Sequence, residues 1–167
     1  ILMGRREISN GVEIISGSFK ETLRIGRLIA KHLKPQDIIC LSGELGSGKT
    51  VLAKGIATGL GIEVFNVTSS SFVLIREHLR GRLPFYHFDL YRLKAAQDIS
   101  VLGYEEYFYG NGISAIEWPE RLGCLMPKEC LKIELTYQGE SKRRLKFKPL
   151  GLRYKKLMRD INENISH

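Results

Sequence analysis

Eight residues constrain the fold of this chain more than any others. Residues 43–50 read Gly-Glu-Leu-Gly-Ser-Gly-Lys-Thr, which fits the phosphate-binding P-loop pattern of a glycine, any four residues, and Gly-Lys followed by Ser or Thr. Glycines let the backbone fold around an anion with no side chains in the way. In such a loop Lys49 faces the β- and γ-phosphates of a nucleotide and the Thr50 hydroxyl holds magnesium. The pattern therefore predicts these nucleotide-binding residues: Gly43, Glu44, Leu45, Gly46, Ser47, Gly48, Lys49 and Thr50.

The residues on either side of this loop support the same interpretation. Residues 38–41, Ile-Ile-Cys-Leu, form a short apolar run typical of a buried strand. After the loop, apolar residues recur at helical spacing until Gly61 ends the pattern. Strand, loop and helix in this order suit an anion site, because the helix dipole adds to the attraction. A glycine turn that matches by accident is the alternative, and these flanks disfavour it.

Composition indicates a single domain of 167 residues whose hydrophobic content, 43%, is sufficient for a core. No apolar run approaches the roughly 20 residues of a membrane helix, and residues 1–7 are too few and too charged for a signal peptide. The three cysteines, Cys40, Cys124 and Cys130, are odd in number and lack metal-ligand spacing. We therefore expect a cytoplasmic protein with reduced thiols and no membrane contact.

The positive charge is distributed unevenly along the chain. The formal net charge is +8, and residues 138–167 contain nine Lys and Arg residues against three acids, a net of +6. A basic segment of this kind can dock on nucleic acid or on an acidic partner. It can equally be a solvated surface that only aids solubility. Both interpretations stay open at this point.

The order of predicted elements indicates an α/β protein. Strands are expected over residues 12–15 and 112–117, and hairpins over residues 72–90 and 130–150, because these runs are apolar or alternating and turn residues separate their halves. We expect a single P-loop NTPase-type domain, with parallel strands around the loop, antiparallel hairpins in the same mixed central sheet, and helices on both faces.

Helices are predicted for two further segments, and a third segment shows no clear period. Ser18 and Glu21 form a capping box that begins a helix, and one face of this helix is expected to carry Phe19, Leu23, Gly26, Ala30 and Leu33. Residues 94–102 are expected to form a short helix closed by Gly103, whereas residues 104–109 show no clear period.

The chain is expected to divide at residue 150. Residues 1–150 form the predicted nucleotide-binding domain, and residues 151–167 form a basic, helical C-terminal extension. This last helix is only weakly amphipathic, and the face assigned to it carries Leu152, Lys156, Arg159 and Ile161.

Two acids follow apolar strands and suit a metal site. Asp89 ends residues 85–89, and Glu117 ends residues 113–117. Open α/β sheets place ligands at the carboxyl ends of their strands, and nucleotide hydrolysis needs an acid to hold magnesium or orient water. The alternatives are that Asp89 caps a turn and that Glu117 pairs with Arg121 at the surface. His87 is interpreted as a structural histidine.

Four motifs together resemble the TsaE (YjeE) family of small bacterial P-loop ATPases. They are residues 43–50, residues 67–72 (Val-Thr-Ser-Ser-Ser-Phe), residues 87–93 (His-Phe-Asp-Leu-Tyr-Arg-Leu) and residues 116–120 (Ile-Glu-Trp-Pro-Glu). The third and fourth are more specific than the P-loop itself, and the resemblance covers about residues 12–150. It implies a single α/β domain acting in threonylcarbamoyladenosine synthesis on tRNA.

The resemblance also implies roles for individual residues, with ATP and Mg²⁺ as cofactors. Thr50 and Glu117 are placed at the magnesium ion, and Asp89 has a metal or catalytic role. Lys49, Asp89 and Glu117 are then the catalytic residues. Ser71 replaces the threonine of the family's switch motif and keeps its hydroxyl. The late hairpin is expected to contribute to the base pocket through Arg143 or Arg144, and Arg144 is counted among the nucleotide-binding residues.

The expected partners also come from the resemblance. The ATPase is expected to be weak alone and to act on a complex of TsaB and TsaD, meeting tRNA only indirectly through that complex. A small-molecule kinase is one alternative, and it would need an arginine-rich lid, for which only Arg76, Arg80 and Arg82 cluster centrally. The other is a nucleotide-gated binding module with negligible hydrolysis.

Overall fold

The computed structural model describes residues 4–63 and 74–165, and within them one mixed sheet runs through the molecule. Its eight strands are β1 (Arg5–Ile8), β2 (Gly11–Ser16), β3 (Ile38–Ser42), β4 (Ile75–His78), β5 (Phe85–Asp89), β6 (Ile113–Glu117), β7 (Cys130–Tyr137) and β8 (Arg143–Leu150). The helices are α1 (Phe19–Lys31), α2 (Lys49–Gly59), α3 (Ala96–Ser100), α4 (Tyr104–Phe108) and α5 (Leu152–Ile165), and residues Pro119–Leu125 form 3-10 turns.

The strand order is β1-β2-β8-β7-β3-β6-β5-β4. Strand β3 is parallel to both β6 and β7, and β5 is parallel to β6. The remaining pairs, β1–β2, β2–β8, β7–β8 and β4–β5, are antiparallel. The predicted mixed sheet, with parallel strands at its centre and antiparallel hairpins on both sides, is confirmed; residues 72 and 73 of the first hairpin lie outside the described residues.

Helices cover both faces of this sheet, as expected. One core lies between the sheet and helices α1, α2 and α5. A second, smaller core lies on the opposite face, under α3, α4 and the 3-10 turns, around Phe88, Phe108 and Leu122. Strand β3 contributes to both cores, which explains why residues 38–41 are continuously apolar rather than alternating. Among the described residues, none of the helices is long and apolar enough to cross a membrane.

Helix α1 begins as predicted, and Gly26, Ala30 and Leu33 of the predicted face are buried, but the buried face is rotated away from Phe19. Ser18 Oγ accepts from the Glu21 backbone N–H at 3.1 Å, and the Glu21 carboxylate accepts from the backbone N–H of Gly17 at 2.6 Å. The buried residues are Thr22, Ile25, Gly26, Ile29 and Ala30. The assignment of Phe19 to this face was wrong, since its side chain is 50% exposed.

Contacts between glycines explain this rotation of α1. A Cβ added to Gly26 would lie 2.6 Å from the carbonyl oxygen of Leu52 and 2.7 Å from Cα of Gly55 in α2. A Cβ on Gly55 would in turn lie 2.5 Å from the carbonyl oxygen of Leu23. The two backbones can approach this closely only because neither residue has a side chain. The approach fixes which face of α1 meets α2.

The two short helices, α3 and α4, differ in length and position from the sequence prediction. The helix predicted over residues 94–102 is shorter, α3, and Gly103 follows it with a φ of 66°. Residues 104–109 showed no period, yet Tyr104 to Phe108 form α4. A helix of five residues completes little more than one turn, so its sequence is too short to show a 3.6-residue period.

Helix α5 contributes side chains to the core that the sheet forms with α1 and α2. Its buried side chains are Tyr154, Leu157, Met158 and Ile161. The face assigned to this helix was wrong except for Ile161, because Leu152 is 82% exposed and Lys156 and Arg159 are also exposed. The Tyr154 hydroxyl accepts from the backbone N–H of Ile38 at 2.8 Å, joining α5 to the start of β3. The division of the chain at residue 150 stays a prediction.

An ion pair at the start of α5 completes this attachment. The Asp37 side chain is only 3% exposed and accepts from Arg153 Nε at 2.9 Å. The same guanidinium donates to the backbone carbonyl of His32 at 3.0 Å. Arg153 therefore holds α5 against the segment between α1 and β3, and it is not a freely available surface charge.

We expect Arg153→Ala to lower the free energy of unfolding by about 3 kcal/mol. This is the low end of the range for breaking a buried pair, because the carboxylate of Asp37 stays buried while Arg153 is 25% exposed. Urea unfolding followed by circular dichroism measures the change. Arg159→Ala, on the exposed face of the same helix, is the control and is expected to change stability by less than about 0.5 kcal/mol. Equal effects of the two variants would contradict the structural role of Arg153.

Candidate nucleotide-binding site

The glycine-rich segment connects the end of β3 to the start of α2. Gly43 and Gly48 adopt φ values of 138° and 107°, which side chains disfavour. A Cβ on Gly43 would lie 2.3 Å from the carbonyl oxygen of Leu135, and one on Gly48 would lie 2.8 Å from Nε of Arg143. The loop is therefore pressed against the β7–β8 hairpin, and both positions require glycine.

Lys49 turns its side chain back into this loop. Its Nζ donates to the carbonyl oxygens of Gly43 at 2.7 Å and Glu44 at 2.8 Å. The ring of Trp118 covers the same ammonium, with 4.1 Å from Nζ to the ring centroid. Burial lowers the pKa of Lys49, while the nearby carboxylate of Glu117 acts in the opposite direction. The ammonium is thus held at the inside of the loop, where an anion bound there would meet it.

A buried hydroxyl in the loop provides a test of whether an anion fits. Ser47 is 1% exposed, and its Oγ has no hydrogen-bond partner among the described residues. Buried polar atoms are usually satisfied, so an orphaned one indicates a group that binds there. The N-terminus of α2 adds its dipole at the same place. The loop therefore fits a phosphate group.

Glu117 connects this loop to the neighbouring strands. It is 3% exposed, and one carboxylate oxygen, Oε2, accepts from the Thr50 hydroxyl at 3.1 Å. The other, Oε1, lies 2.8 Å from Nε2 of His87 in β5. Since an ionised carboxylate only accepts hydrogen bonds, Nε2 carries the hydrogen when Glu117 is ionised. The structure therefore brings Thr50 and Glu117 together, and it adds His87, which the sequence interpretation had treated as structural.

Asp89 lies one strand away from Glu117. Strands β5 and β6 are parallel, and Asp89 is directly opposite Glu117 in their register. Its Oδ1 accepts from the Tyr91 backbone N–H at 3.2 Å, so it caps the turn after β5, the alternative role considered for it. Burial raises the pKa of Asp89, Glu117 raises it further, and the hydrogen bond to Tyr91 opposes the shift. Asp89 thus both caps a turn and faces the site.

These oxygens also fit a magnesium ion that accompanies a nucleotide. Within residues 4–63 and 74–165, no group of three or more His, Cys, Asp and Glu side chains is arranged to hold a metal ion by itself. Magnesium at a nucleotide takes only one or two protein ligands, together with phosphate oxygens and water. The Thr50 hydroxyl and the Glu117 carboxylate are hard oxygen ligands in contact with each other, as that arrangement requires.

The two candidate arginines of the late hairpin occupy different places. Arg143 Nε donates to the Ser47 carbonyl oxygen at 3.2 Å, and its guanidinium lies 5.4 Å from the ring centroid of Tyr137. Arg144 Nε instead lies 4.0 Å from a carboxylate oxygen of Glu13. Neighbouring residues of a strand face opposite sides of the sheet, which explains the separation. The structure brings Arg143 to the loop and places Arg144 away from it.

Comparison with known proteins identifies the family. The family model described as "Threonylcarbamoyl adenosine biosynthesis protein TsaE" matches residues 16–145. The chain belongs to the TsaE family. A "tRNA threonylcarbamoyladenosine biosynthesis protein TsaE" from Bacillus subtilis (strain 168) is 39% identical over 150 residues, which make up 89% of this chain and 93% of that protein. The TsaE protein of Treponema pallidum (strain Nichols) is 36% identical over 131 residues, or 78% of this chain and 96% of that protein.

A relative of known structure has the same fold. The crystal structure of YdiB from Bacillus subtilis superposes with a TM-score of 0.81 at 34% sequence identity, covering 96% of this chain and 99% of that chain. The resemblance to TsaE proteins drawn from the four motifs is thereby confirmed. Ser71, in the second of those motifs, lies outside the described residues, and its assignment to the switch stays a prediction.

Sequence reasoning did not assign several residues that the structure brings to the candidate site. His87 precedes Asp89 by two positions in β5, so both point to the same face, and this spacing could have marked it. Trp118 packs against the second core and also covers Lys49, with φ of 59°, a left-handed conformation rare for a non-glycine residue. Tyr137 carried no signal, because only the fold brings it to the loop.

We expect Arg143→Ala to weaken nucleotide binding about tenfold, because it removes a charged donor that positions the loop backbone. A tenfold loss corresponds to about 1.4 kcal/mol, which is near the low end for a hydrogen bond from a charged group. Arg144→Ala is the matched control and is expected to bind as the parent does. Isothermal titration with a nucleotide and magnesium measures both affinities. A larger effect at Arg144 than at Arg143 would overturn this assignment of the two arginines.

Proposed function

We propose that this chain is a magnesium-dependent ATPase that acts in the cytoplasm in threonylcarbamoyladenosine synthesis on tRNA, together with the proteins TsaB and TsaD. The tRNA modification is the function named for its TsaE relatives. The observation that carries the ATPase part is the contact of Thr50 with the buried Glu117 beside a lysine that points into a glycine-rich loop. We further propose that the loop is a P-loop and the fold that of a P-loop NTPase.

The loop residues would bind the phosphates of ATP. Backbone N–H groups of residues 43–50 and the free Ser47 hydroxyl provide donors, and Lys49 provides a positive charge. Lys49 now donates to the carbonyl oxygens of Gly43 and Glu44, and phosphate oxygens would take their place. Trp118 keeps water away from one side of this ammonium, which strengthens its interaction with the phosphates.

The two acids, Glu117 and Asp89, would have different roles in hydrolysis. Thr50 and Glu117 would hold magnesium, which neutralises charge developing on the β- and γ-phosphate oxygens. His87 fixes the orientation of the Glu117 carboxylate by binding its other oxygen. Asp89 faces the same site and has a raised pKa, so its carboxylate is suited to orienting the attacking water and accepting its proton. The site would thus contain both a metal-holding and a water-orienting acid.

The position of Arg82 argues against the kinase alternative. Of the three central arginines that a lid would need, Arg82 donates to the backbone carbonyls of Ala30 at 2.7 Å and Leu33 at 3.3 Å. It therefore completes the C-terminal end of α1 and is directed away from the glycine-rich loop. An arginine engaged in this way does not close over a phosphate.

Phosphate release in the presence of magnesium tests the proposal. We expect slow release from ATP by the chain alone, faster release with TsaB and TsaD added, and no transfer to a panel of small phosphoryl acceptors. Lys49→Ala, folded by circular dichroism, is expected to lose nucleotide binding or turnover. Transfer to an acceptor would indicate the kinase alternative, whereas binding without release in every mixture would indicate a nucleotide-gated binding module.

Substitutions should distinguish the role of Asp89 from that of Glu117. Asp89→Asn and Glu117→Gln are each expected to keep some ATP binding and to reduce hydrolysis by about 10²-fold or more, as loss of a metal- or water-positioning group does. Raising magnesium should partly restore Glu117→Gln, because Glu117 contacts Thr50, and should restore Asp89→Asn less. Glu163→Gln, which removes an exposed acid in α5, is the control. Parent-like hydrolysis by both variants would show that the two acids are only caps or surface pairs.

A further inference from the structure

Four basic side chains form a row along the outer face of α1. They are Lys20, Arg24, Arg27 and Lys31, and all four are exposed. Their spacing of four, three and four residues keeps them within about 60° of arc on a helix with 3.6 residues per turn, over a length of about 16 Å. We refer to these four residues as the α1 basic row. It lies outside residues 138–167, where counting along the sequence had located most of the charge.

Within the described part of the chain, the α1 basic row has no ion-pair partners. None of its four side chains makes an ion pair or a side-chain hydrogen bond within residues 4–63 and 74–165. The acid within the helix, Glu21, binds the backbone N–H of Gly17 and so completes the helix start. In α5, by contrast, Arg153 is bound to Asp37, and Lys156 lies 3.3 Å from Asp160. The row is therefore a line of uncompensated positive charge.

The row is held in a fixed position relative to the candidate nucleotide site. The close approach of Gly26 to Gly55 joins α1 to α2, and a Cβ on Gly59 would lie 2.5 Å from Cβ of Ala30. Helix α2 begins at Lys49. Two helices packed backbone to backbone move as one body, so a partner bound along the row would be positioned with respect to the glycine-rich loop.

The chemistry of the row fits a nucleic-acid backbone better than a protein surface. Protein interfaces have apolar and aromatic centres in which lysine is depleted and arginine occurs together with aromatic residues. The large apolar side chain exposed on α1 is Phe19, at its first residue rather than among the four charges. A phosphate backbone carries regularly spaced charges of one sign, which lysine and arginine neutralise with release of counterions.

We propose that the α1 basic row binds the sugar–phosphate backbone of tRNA directly. The proposal rests on the tRNA part of the function above and adds to it a contact made by this chain itself, where the sequence had indicated only an indirect one. Such contacts position the nucleic acid without reading its bases, so the binding is tolerant of tRNA sequence and sensitive to salt.

Binding of a fluorescently labelled tRNA transcript, followed by anisotropy at several salt concentrations, tests this proposal. The variant Lys20→Gln/Arg24→Gln/Arg27→Gln/Lys31→Gln keeps residues that favour a helix. We expect its affinity at 0.1 M salt to fall roughly tenfold or more. The dependence of log K on log salt concentration is expected to become shallower by up to about four, roughly one for each phosphate contact removed.

Three further variants distinguish a contribution of the α1 basic row from effects of net charge or misfolding. Lys128→Gln/Lys142→Gln/Lys146→Gln/Lys148→Gln removes the same charge from exposed positions outside α1 and should retain most of the affinity. Lys20→Arg/Arg24→Lys/Arg27→Lys/Lys31→Arg preserves charge and should bind as the parent does. The double variant Arg24→Gln/Arg27→Gln should lose an intermediate amount, and it serves if the fourfold variant does not fold by circular dichroism.

Several outcomes would overturn the proposal. Equal losses in the α1 variant and the matched control would attribute binding to net charge, and no tRNA binding by the parent would exclude the contact. If the row variant instead loses only salt-dependent binding to TsaB and TsaD, the row serves an acidic protein surface. Lys49→Ala is expected to bind tRNA like the parent while losing ATP turnover, and the row variant is expected to keep its turnover alone. Failure of the ATPase function and failure of the tRNA contact are therefore distinguishable.

Discussion

The buried carboxylate of Glu117 is the interaction on which the candidate site depends. It stands at the end of β6 and is bound to Thr50 at the start of α2 and to His87 in β5. A carboxylate that is 3% exposed is costly unless its oxygens are satisfied, and here each oxygen has a partner. The three elements around the loop are thereby held in one arrangement.

A second constraint acts behind the loop, where α1 meets α2. The glycines at their contact bring the backbones closer than side chains would allow, and this approach turns Phe19 outward and Thr22 inward. The same rotation places the four basic residues of α1 in solvent. One packing contact therefore decides both the buried face of the helix and the charge pattern that the molecule presents on its surface.

Much of the fold could be predicted from the sequence, because strands β2, β3, β5, β6, β7 and β8 show apolar runs or period-2 alternation and the glycine-rich loop indicates parallel strands around β3. The contact between Thr50 and Glu117 followed from the rule that parallel strands end at one edge. The spacing from Asp89 could have marked His87, and Arg143 was one of two candidate arginines, but the contacts that His87, Trp118 and Arg143 make could not be predicted. Each depends on which neighbouring strand or loop it meets, and a single sequence does not contain that register. The face of α1 was predicted only in part, because the sequence marks Gly26 but does not show that its approach to Gly55 turns Ile25 and Ile29 inward.

The charge pattern shows most clearly why position along the chain is a poor guide to surface chemistry. Counting by sequence directs attention to residues 138–167, with a net charge of +6. The fold then uses Arg153 to neutralise a buried aspartate, pairs Lys156 with Asp160, and directs Arg143 to a loop carbonyl. Helix α1 has a smaller excess of charge, yet its four basic residues share one face and form no ion pair with any described residue. A charged partner meets the field of exposed basic groups, and four of these groups lie in one row on α1.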